Sequence, residues 1–256
     1  MGKSVSKFVW HDVMTTDVDA AEDFYAKVVG WQMKDSGMDG PRYTLLMDGE
    51  RMVGGIMPRP DDASDVPPMW MGYIGVDDID AKAKELEAAG GTVHRGPQDI
   101  PGIGRFAVVA DPHGAGFIIF QPQGEGGPDA PFMAPKTIGW NELHAGNLDE
   151  AWPFYEALFG WQKLEAHDMG GFVYQTFGTG GETGIGGMMT KMESAPYPYW
   201  AYYISVADFN AAVQRARDNG ATVLAEPMQV PGGIWICPAQ DPQGAHFNLI
   251  GMRGEA

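Results

Sequence analysis

Cysteine is almost absent: Cys237 is the one thiol in 256 residues. An internal disulfide and a zinc site built from cysteines are therefore excluded. Cys237 precedes Pro238 in an apolar stretch, the setting of a structural thiol rather than a nucleophile. No apolar run is long enough for a membrane-spanning helix, and no secretory signal pattern opens the chain, so a cytoplasmic location is the expectation. Positive charge is scarce as well. Seventeen Lys and Arg stand against 34 Asp and Glu, for a net charge of −17. Such a surface repels phosphate backbones and anionic headgroups, so neither nucleic acid nor membrane is an expected partner. The remaining composition, 44% hydrophobic and 20% charged, is that of a soluble globular protein.

What is present is a repeat. Trp10, Phe24-Tyr25 and Gly30-Trp31-Gln32 return as Trp140, Phe154-Tyr155 and Gly160-Trp161-Gln162, each 130 residues later. The same offset relates Trp70 to Trp200, Gly90 to Gly220, and Asp111-Pro112 to Asp241-Pro242. Two copies of one domain, 1–124 and 136–256, account for nearly the whole chain, with a Gly- and Pro-rich linker over 125–135. Differences between the copies then point to what each is for.

Each copy divides again. Phe8 to Met14 reads as a strand. Asp17 caps a helix whose Ala21, Phe24, Tyr25 and Val28 form one apolar stripe, and Gly30 ends it. Three short strands follow, over Trp31–Met33, Arg42–Met47 and Arg51–Met57. Residues 69–122 repeat that order, with Asp77 or Asp78 as the cap, Ile79, Ala83 and Leu86 on the buried face, and a tight turn at Asp111-Pro-His-Gly114. The pattern predicts an α+β fold of tandem βαβββ modules, four in all, paired into two half-barrel domains. The doublets Gly54-Gly55 and Gly186-Gly187 are expected where strands bend sharply around a cleft.

The paired modules, the Phe-Tyr…Gly-Trp helix end and the Asp-Pro-x-Gly turn resemble the vicinal oxygen chelate superfamily, which includes glyoxalase I, extradiol dioxygenases and bleomycin-resistance proteins. "Gly-Trp-Asn-Glu-Leu" at 139–143, "Phe-Tyr-Glu-Ala-Leu-Phe-Gly-Trp" at 154–161 and "Asp-Pro-Gln-Gly-Ala" at 241–245 are similar to the two-domain glyoxalase-like proteins typified by the mycobacterial 27 kDa antigen. The resemblance implies one cleft per pair of modules, with metal ligands on three strands. Carried over, those positions fall on Trp10, Met71 and Ile118 in the first copy and on Trp140, Ala201 and Asn248 in the second. Only the Asn248 carbonyl is a normal ligand for a hard metal, and a weak one. No cofactor is therefore expected. The one route to a divalent metal is a displaced set, Glu142, His144 and His246.

Strand alternation names the other cleft residues. In the first copy Trp10, Asp12 and Met14 share a face with Tyr73, an apolar lining with one acid. In the second, Trp140, Glu142 and His144 share a face with Tyr203, Ser205, His246 and Asn248. Three readings stand for this second group: a displaced metal site, a general base Glu142 with His144, Tyr203 or His246 as acid or donor, or polar groups that bond one another or a ligand. Trp10, Asp12, Tyr73, Trp140, Ser205 and Asn248 are the candidate ligand contacts. The segment Ala195-Pro-Tyr-Pro-Tyr-Trp200 is stiffened by proline, and its aromatics are placed to shape the cleft mouth. Trp70 and Trp200 read equally as cleft or core.

The expected function is a glyoxalase-like enzyme of lyase or isomerase type, with dioxygenase chemistry the lesser expectation. It would act on a small carbonyl-bearing or aromatic metabolite through the second-copy cleft, without the family metal. The alternative is a non-catalytic small-molecule binding protein of the bleomycin-resistance type. A monomer or homodimer is expected.

Overall fold

The computed structural model describes residues 6–124 and 130–253. Residues 125–129, within the expected linker, lie outside the described residues. Four βαβββ modules follow one another. The first comprises β1 (Phe8–Thr15), α1 (Val18–Val28), β2 (Gln32–Asp35), β3 (Thr44–Asp48) and β4 (Arg51–Pro58). The second comprises β5 (Met69–Gly75), α2 (Ile79–Ala88), β6 (Thr92–Ile100), β7 (Gly104–Ala110) and β8 (Gly116–Pro122). The third comprises β9 (Ile138–Ala145), α3 (Leu148–Phe159), β10 (Gln162–Asp168), β11 (Val173–Gly178) and β12 (Gly186–Thr190). In the fourth, β13 (Tyr199–Ser205) and α4 (Phe209–Asp218) precede β14 (Thr222–Val223), β15 (Met228–Gln229), β16 (Trp235–Gln240) and β17 (His246–Gly251). The long β6 of the second module thus has two short counterparts, β14 and β15, which both pair with β16. Pro227 falls in the gap between them, where it has no ladder hydrogen bond to donate.

All four helices start the same way. Asp17, Asp78, Asn147 and Asp208 accept backbone N–H groups of the first turn, from Ala20, Ala81, Asp149 with Glu150, and Ala211. Each cap contributes about 1 kcal/mol. The sequence-predicted stripe of α1, Ala21, Phe24, Tyr25 and Val28, is buried, as are Ile79, Ala83 and Leu86 of α2. Among the described residues no helix is long and apolar enough to cross a membrane.

The strands form two sheets. One runs β2-β3-β4-β1-β5-β8-β7-β6; the other runs β10-β11-β12-β9-β13-β17-β16-β14. The parallel pairs β1·β4 and β9·β12 set Asp12 beside Gly55 and Glu142 beside Gly187.

By contacts the described residues group into two compact units. One holds those of Met1–Val9, Gly72–Asp129 and Asn141–Trp200; the other holds those of Trp10–Met71, Ala130–Trp140 and Ala201–Ala256. Each unit therefore joins modules from different copies of the repeat, and the repeated motif explains how. In one unit the Trp200 indole donates to the Tyr155 hydroxyl at 3.2 Å, which donates to Asp111 Oδ2 at 3.1 Å. Asp111 Oδ1 also accepts the N–H groups of His113 and Ala115, which closes the Asp-Pro turn. In the other unit Trp70 donates to Tyr25 at 2.8 Å, Tyr25 to Asp241 at 2.9 Å, and Asp241 accepts Gln243 and Ala245. Both carboxylates are almost fully buried. The tyrosine of a helix end and the aspartate of a turn are thus two ends of one buried chain that ties a module to a module of the other copy. This places Trp70 and Trp200 in the core, along with Trp31 and Trp161.

Candidate active site

Glu142 and His144 lie two apart on β9, so strand alternation turns both side chains to the same face. His144 Nε2 stands 2.9 Å from Glu142 Oε1. The second carboxylate oxygen, Oε2, accepts the Tyr174 hydroxyl at 2.7 Å. The His144 ring stacks on Tyr199, centroids 4.3 Å apart and planes 8° from parallel. All four residues belong to the same compact unit. Glu142 is only 7% exposed, which strengthens every interaction that its charge makes. Burial, then the Glu142 charge and the neighbouring Tyr197, push the Tyr199 phenol up to about 12, so it stays neutral at physiological pH.

Tyr174 reaches Glu142 because Gly187 lets it. A Cβ on Gly187 would stand 2.2 Å from the Tyr174 hydroxyl oxygen and 2.3 Å from Cζ. The phenol therefore lies flat over a bare backbone to reach the acid on the next strand. The first copy uses the same device: a Cβ on Gly55 would stand 2.1 Å from the Tyr43 hydroxyl, which donates to Asp12 at 3.3 Å. Gly55 and Gly187 are thus explained by a tyrosine crossing the strand, while at Gly54 and Gly186 a Cβ would stand 2.7 Å from the His11 carbonyl oxygen and 2.2 Å from that of Asn141.

In the first copy the Trp10 indole donates to Tyr43 at 2.7 Å. Asp12 is 2% exposed. Burial first, then the Asp12 charge, hold the Tyr43 phenol far above its ordinary range, while Trp10 works against both. Met14 and Met69 stand where the second copy has His144 and Tyr199.

The other candidates from the sequence are placed as follows. Trp140 packs edge-on against Phe132 at 6.2 Å. Tyr203, Ser205 and Asn248 are buried, Ser205 Oγ lying 3.8 Å from Met133 Sδ and Asn248 Nδ2 donating to the Tyr202 carbonyl at 3.3 Å. His246 is exposed and its Nε2 lies 2.8 Å from Gln240 Nε2. Tyr73 packs edge-on against Phe120 at 6.0 Å. Sequence reasoning missed Tyr174. Its signal was present, since Tyr43 and Tyr174 each sit ahead of a Gly-Gly strand in nearly the same register. Tyr199 lies in the proline-stiffened segment already singled out. A depression of about 280 Å³ beside the start of α3, lined by Lys163, Gln175 and Thr190 among others, does not include Glu142 or His144. Two of its polar groups are already engaged: Gln175 donates to the Glu165 carbonyl, and Thr190 accepts the Leu148 N–H.

The family model for the Glyoxalase/Bleomycin resistance protein/Dioxygenase superfamily matches residues 7–119 and again 137–249, and the chain belongs to that superfamily. Among its relatives, "Putative glyoxylase CFP32" of Mycobacterium bovis is 32% identical over 94% of this chain and 93% of its own. "Anthracycline biosynthesis protein DnrV" of Streptomyces peucetius is 32% identical over 95% of this chain and 92% of its own. The fold is shared with the Mn(II)-bound glyoxalase of Novosphingobium aromaticivorans (TM-score 0.67, 19% identity, 100% of this chain and 85% of that one). It is shared too with the 2,2',3-trihydroxybiphenyl 1,2-dioxygenase of Sphingomonas wittichii (TM-score 0.69, 12% identity, 97% of this chain and 91% of that one).

A metal at the positions carried over from the family does not fit the residues found there. Trp10 uses its indole N–H on Tyr43, Ile118 is a buried hydrocarbon, and Ala201 offers no donor. Among the described residues, no group of three or more His, Cys, Asp or Glu side chains is placed to hold a metal ion, and the displaced set Glu142, His144 and His246 forms no such group.

Proposed function

We propose that the chain is a glyoxalase-like enzyme of lyase or isomerase type that moves a proton on a small carbonyl-bearing or aromatic metabolite at the second-copy site. The observation that carries this is the buried Glu142 carboxylate held between Tyr174 and His144, with His144 braced on Tyr199. A buried acid beside an imidazole is what proton abstraction next to a carbonyl needs, and general acid–base catalysis contributes about 10²–10⁴-fold. In this reading no step runs through a metal at the family positions, because their side chains do not fit one. Of the residues expected there from the sequence, Glu142 and His144 carry this reading; Trp140, Tyr203, Ser205, His246 and Asn248 belong to the other compact unit. Trp10 and Asp12 are proposed as contacts of a second ligand site in the first copy, while Tyr73 belongs to a different compact unit from theirs. The kinship with an anthracycline biosynthesis protein supports an aromatic, carbonyl-bearing substrate.

The test is a screen of small 1,2-dicarbonyls and hydroxyquinones with wild type and Glu142→Gln, following loss of compound and tryptophan fluorescence together. Turnover that falls about 10²–10⁴-fold in the variant supports the reading. Compounds that quench fluorescence and are recovered unchanged would establish a binding protein instead. Elemental analysis of the purified protein checks the metal-free part.

A further inference from the structure

Resting on that acid–base reading, we propose that the atom which takes and returns the proton is Nδ1 of His144, and that Glu142 is the positioning residue that makes it so. Both carboxylate oxygens of Glu142 are approached by donors. Tyr174 donates to Oε2, and His144 Nε2 stands 2.9 Å from Oε1. An imidazole lone pair and a carboxylate oxygen repel at that distance unless a proton lies between them; with Glu142 ionised, the form that accepting from Tyr174 favours, that proton is on Nε2. A neutral imidazole has one N–H; its basic nitrogen is then Nδ1. Stacking on Tyr199 fixes the ring plane, so Nδ1 has a set direction as well as a set tautomer.

The step balances without a co-reactant. The C–H bond beside the substrate carbonyl breaks heterolytically and its proton goes to Nδ1. The electron pair moves onto the carbonyl oxygen as an enolate. The imidazolium formed lies against the Glu142 carboxylate, whose opposite charge stabilises it in place. It then returns the proton to another atom of the same skeleton, and the net change is an isomerisation. The first copy lacks this machinery, since Met14 and Met69 replace the imidazole and its brace while the acid and tyrosine remain.

Two-bond ¹H–¹⁵N correlation spectra of the imidazole rings in the ligand-free protein near neutral pH read the tautomer directly. The expected result is His144 in the Nε2–H form. In Glu142→Gln the amide presents an N–H where the carboxylate presented an acceptor, and the population shifts toward Nδ1–H. Asp12→Asn leaves the His144 signals in place. An Nδ1–H tautomer in wild type, or an unchanged one in folded Glu142→Gln, overturns the inference. So does a turnover profile in which His144→Gln keeps full activity while Glu142→Gln loses it, which would move the base to Glu142 and leave the enzyme reading intact. A screen that finds no turnover beside an Nε2–H tautomer sinks the enzyme reading and the proton-transfer role of Nδ1 with it, whereas a wrong tautomer beside turnover sinks this inference alone.

Discussion

The two copies of the repeat build the same frame and furnish it differently. Each sets an acid on the first strand of a module, a glycine on the parallel strand beside it, and a tyrosine that crosses the glycine to bond the acid: Asp12, Gly55 and Tyr43 in one, Glu142, Gly187 and Tyr174 in the other. A feature present in both is architecture, and burying a carboxylate requires such a partner whatever the site does. The functional content lies in what is not shared. The first copy has methionines, Met14 and Met69, at the positions of the imidazole and its brace. The second brings an imidazole against the acid and a phenol ring against the imidazole.

The largest expected effect tests that division. His144→Ala is expected to lower kcat/KM by about 10²–10⁴-fold, and the matched change Met14→Ala to leave it unaltered; both are read from steady-state kinetics on a substrate found by the screen. Equal losses from the two would show that the copies share the work. The next effect should be symmetric instead. Asp111→Ala and Asp241→Ala each remove the acceptor of one tyrosine hydroxyl and two backbone N–H groups in the core. Each is expected to cost about 2–4 kcal/mol in urea unfolding, since buried donors are left unpaired. A cost confined to one of them would break the symmetry of the two Trp–Tyr–Asp chains.

Much of the fold was legible because periodicity and caps are local. The stripe Ala21, Phe24, Tyr25 and Val28 and the caps Asp17 and Asp78 are decided by neighbours a few residues away. The family motif was legible as well, but its purpose was not. Nothing in Phe24-Tyr25 says that the tyrosine meets an aspartate 216 residues on. In the site, alternation put Glu142 and His144 on one face. It could not supply Tyr174, whose part depends on a glycine on the neighbouring strand, or the stack on Tyr199, which depends on where a proline-stiffened segment ends. The glycines could be counted but their reason could not, because a missing Cβ has meaning only once the crossing side chain is placed.

Those glycines give a smaller test of the shared frame. Gly187→Ala and Gly55→Ala each place a methyl group within 2.3 Å of a tyrosine ring or hydroxyl atom. Each is expected to cost about 1–3 kcal/mol as the phenol is displaced. Only Gly187→Ala should also reduce turnover, because only there does the displaced tyrosine release an acid that holds the imidazole. Thermal melts and kinetics on the same preparations separate the two effects.

The smallest expected effect is a pH dependence at the Asp-Pro turn of the fourth module. Burial raises the Asp241 carboxyl above its ordinary value, while the Ala245 N–H and the Tyr25 hydroxyl pull the other way without cancelling it. A carboxyl with a raised folded-state pKa binds its proton more tightly in the fold than in the unfolded chain, where the value is about 3.9. Its stabilising contribution is therefore complete below that unfolded value and is lost as pH rises through the higher folded value. Asp241→Asn keeps one oxygen as acceptor for the turn, turns an amide NH2 to the Tyr25 hydroxyl, and has no proton to lose. The unfolding free energy of wild type relative to this variant is expected to fall as pH rises from about 4 and then to level off. Urea midpoints across the acid range measure it. A difference that is flat, or that rises with pH, would mean that the turn's N–H groups and Tyr25 outweigh burial and hold Asp241 ionised.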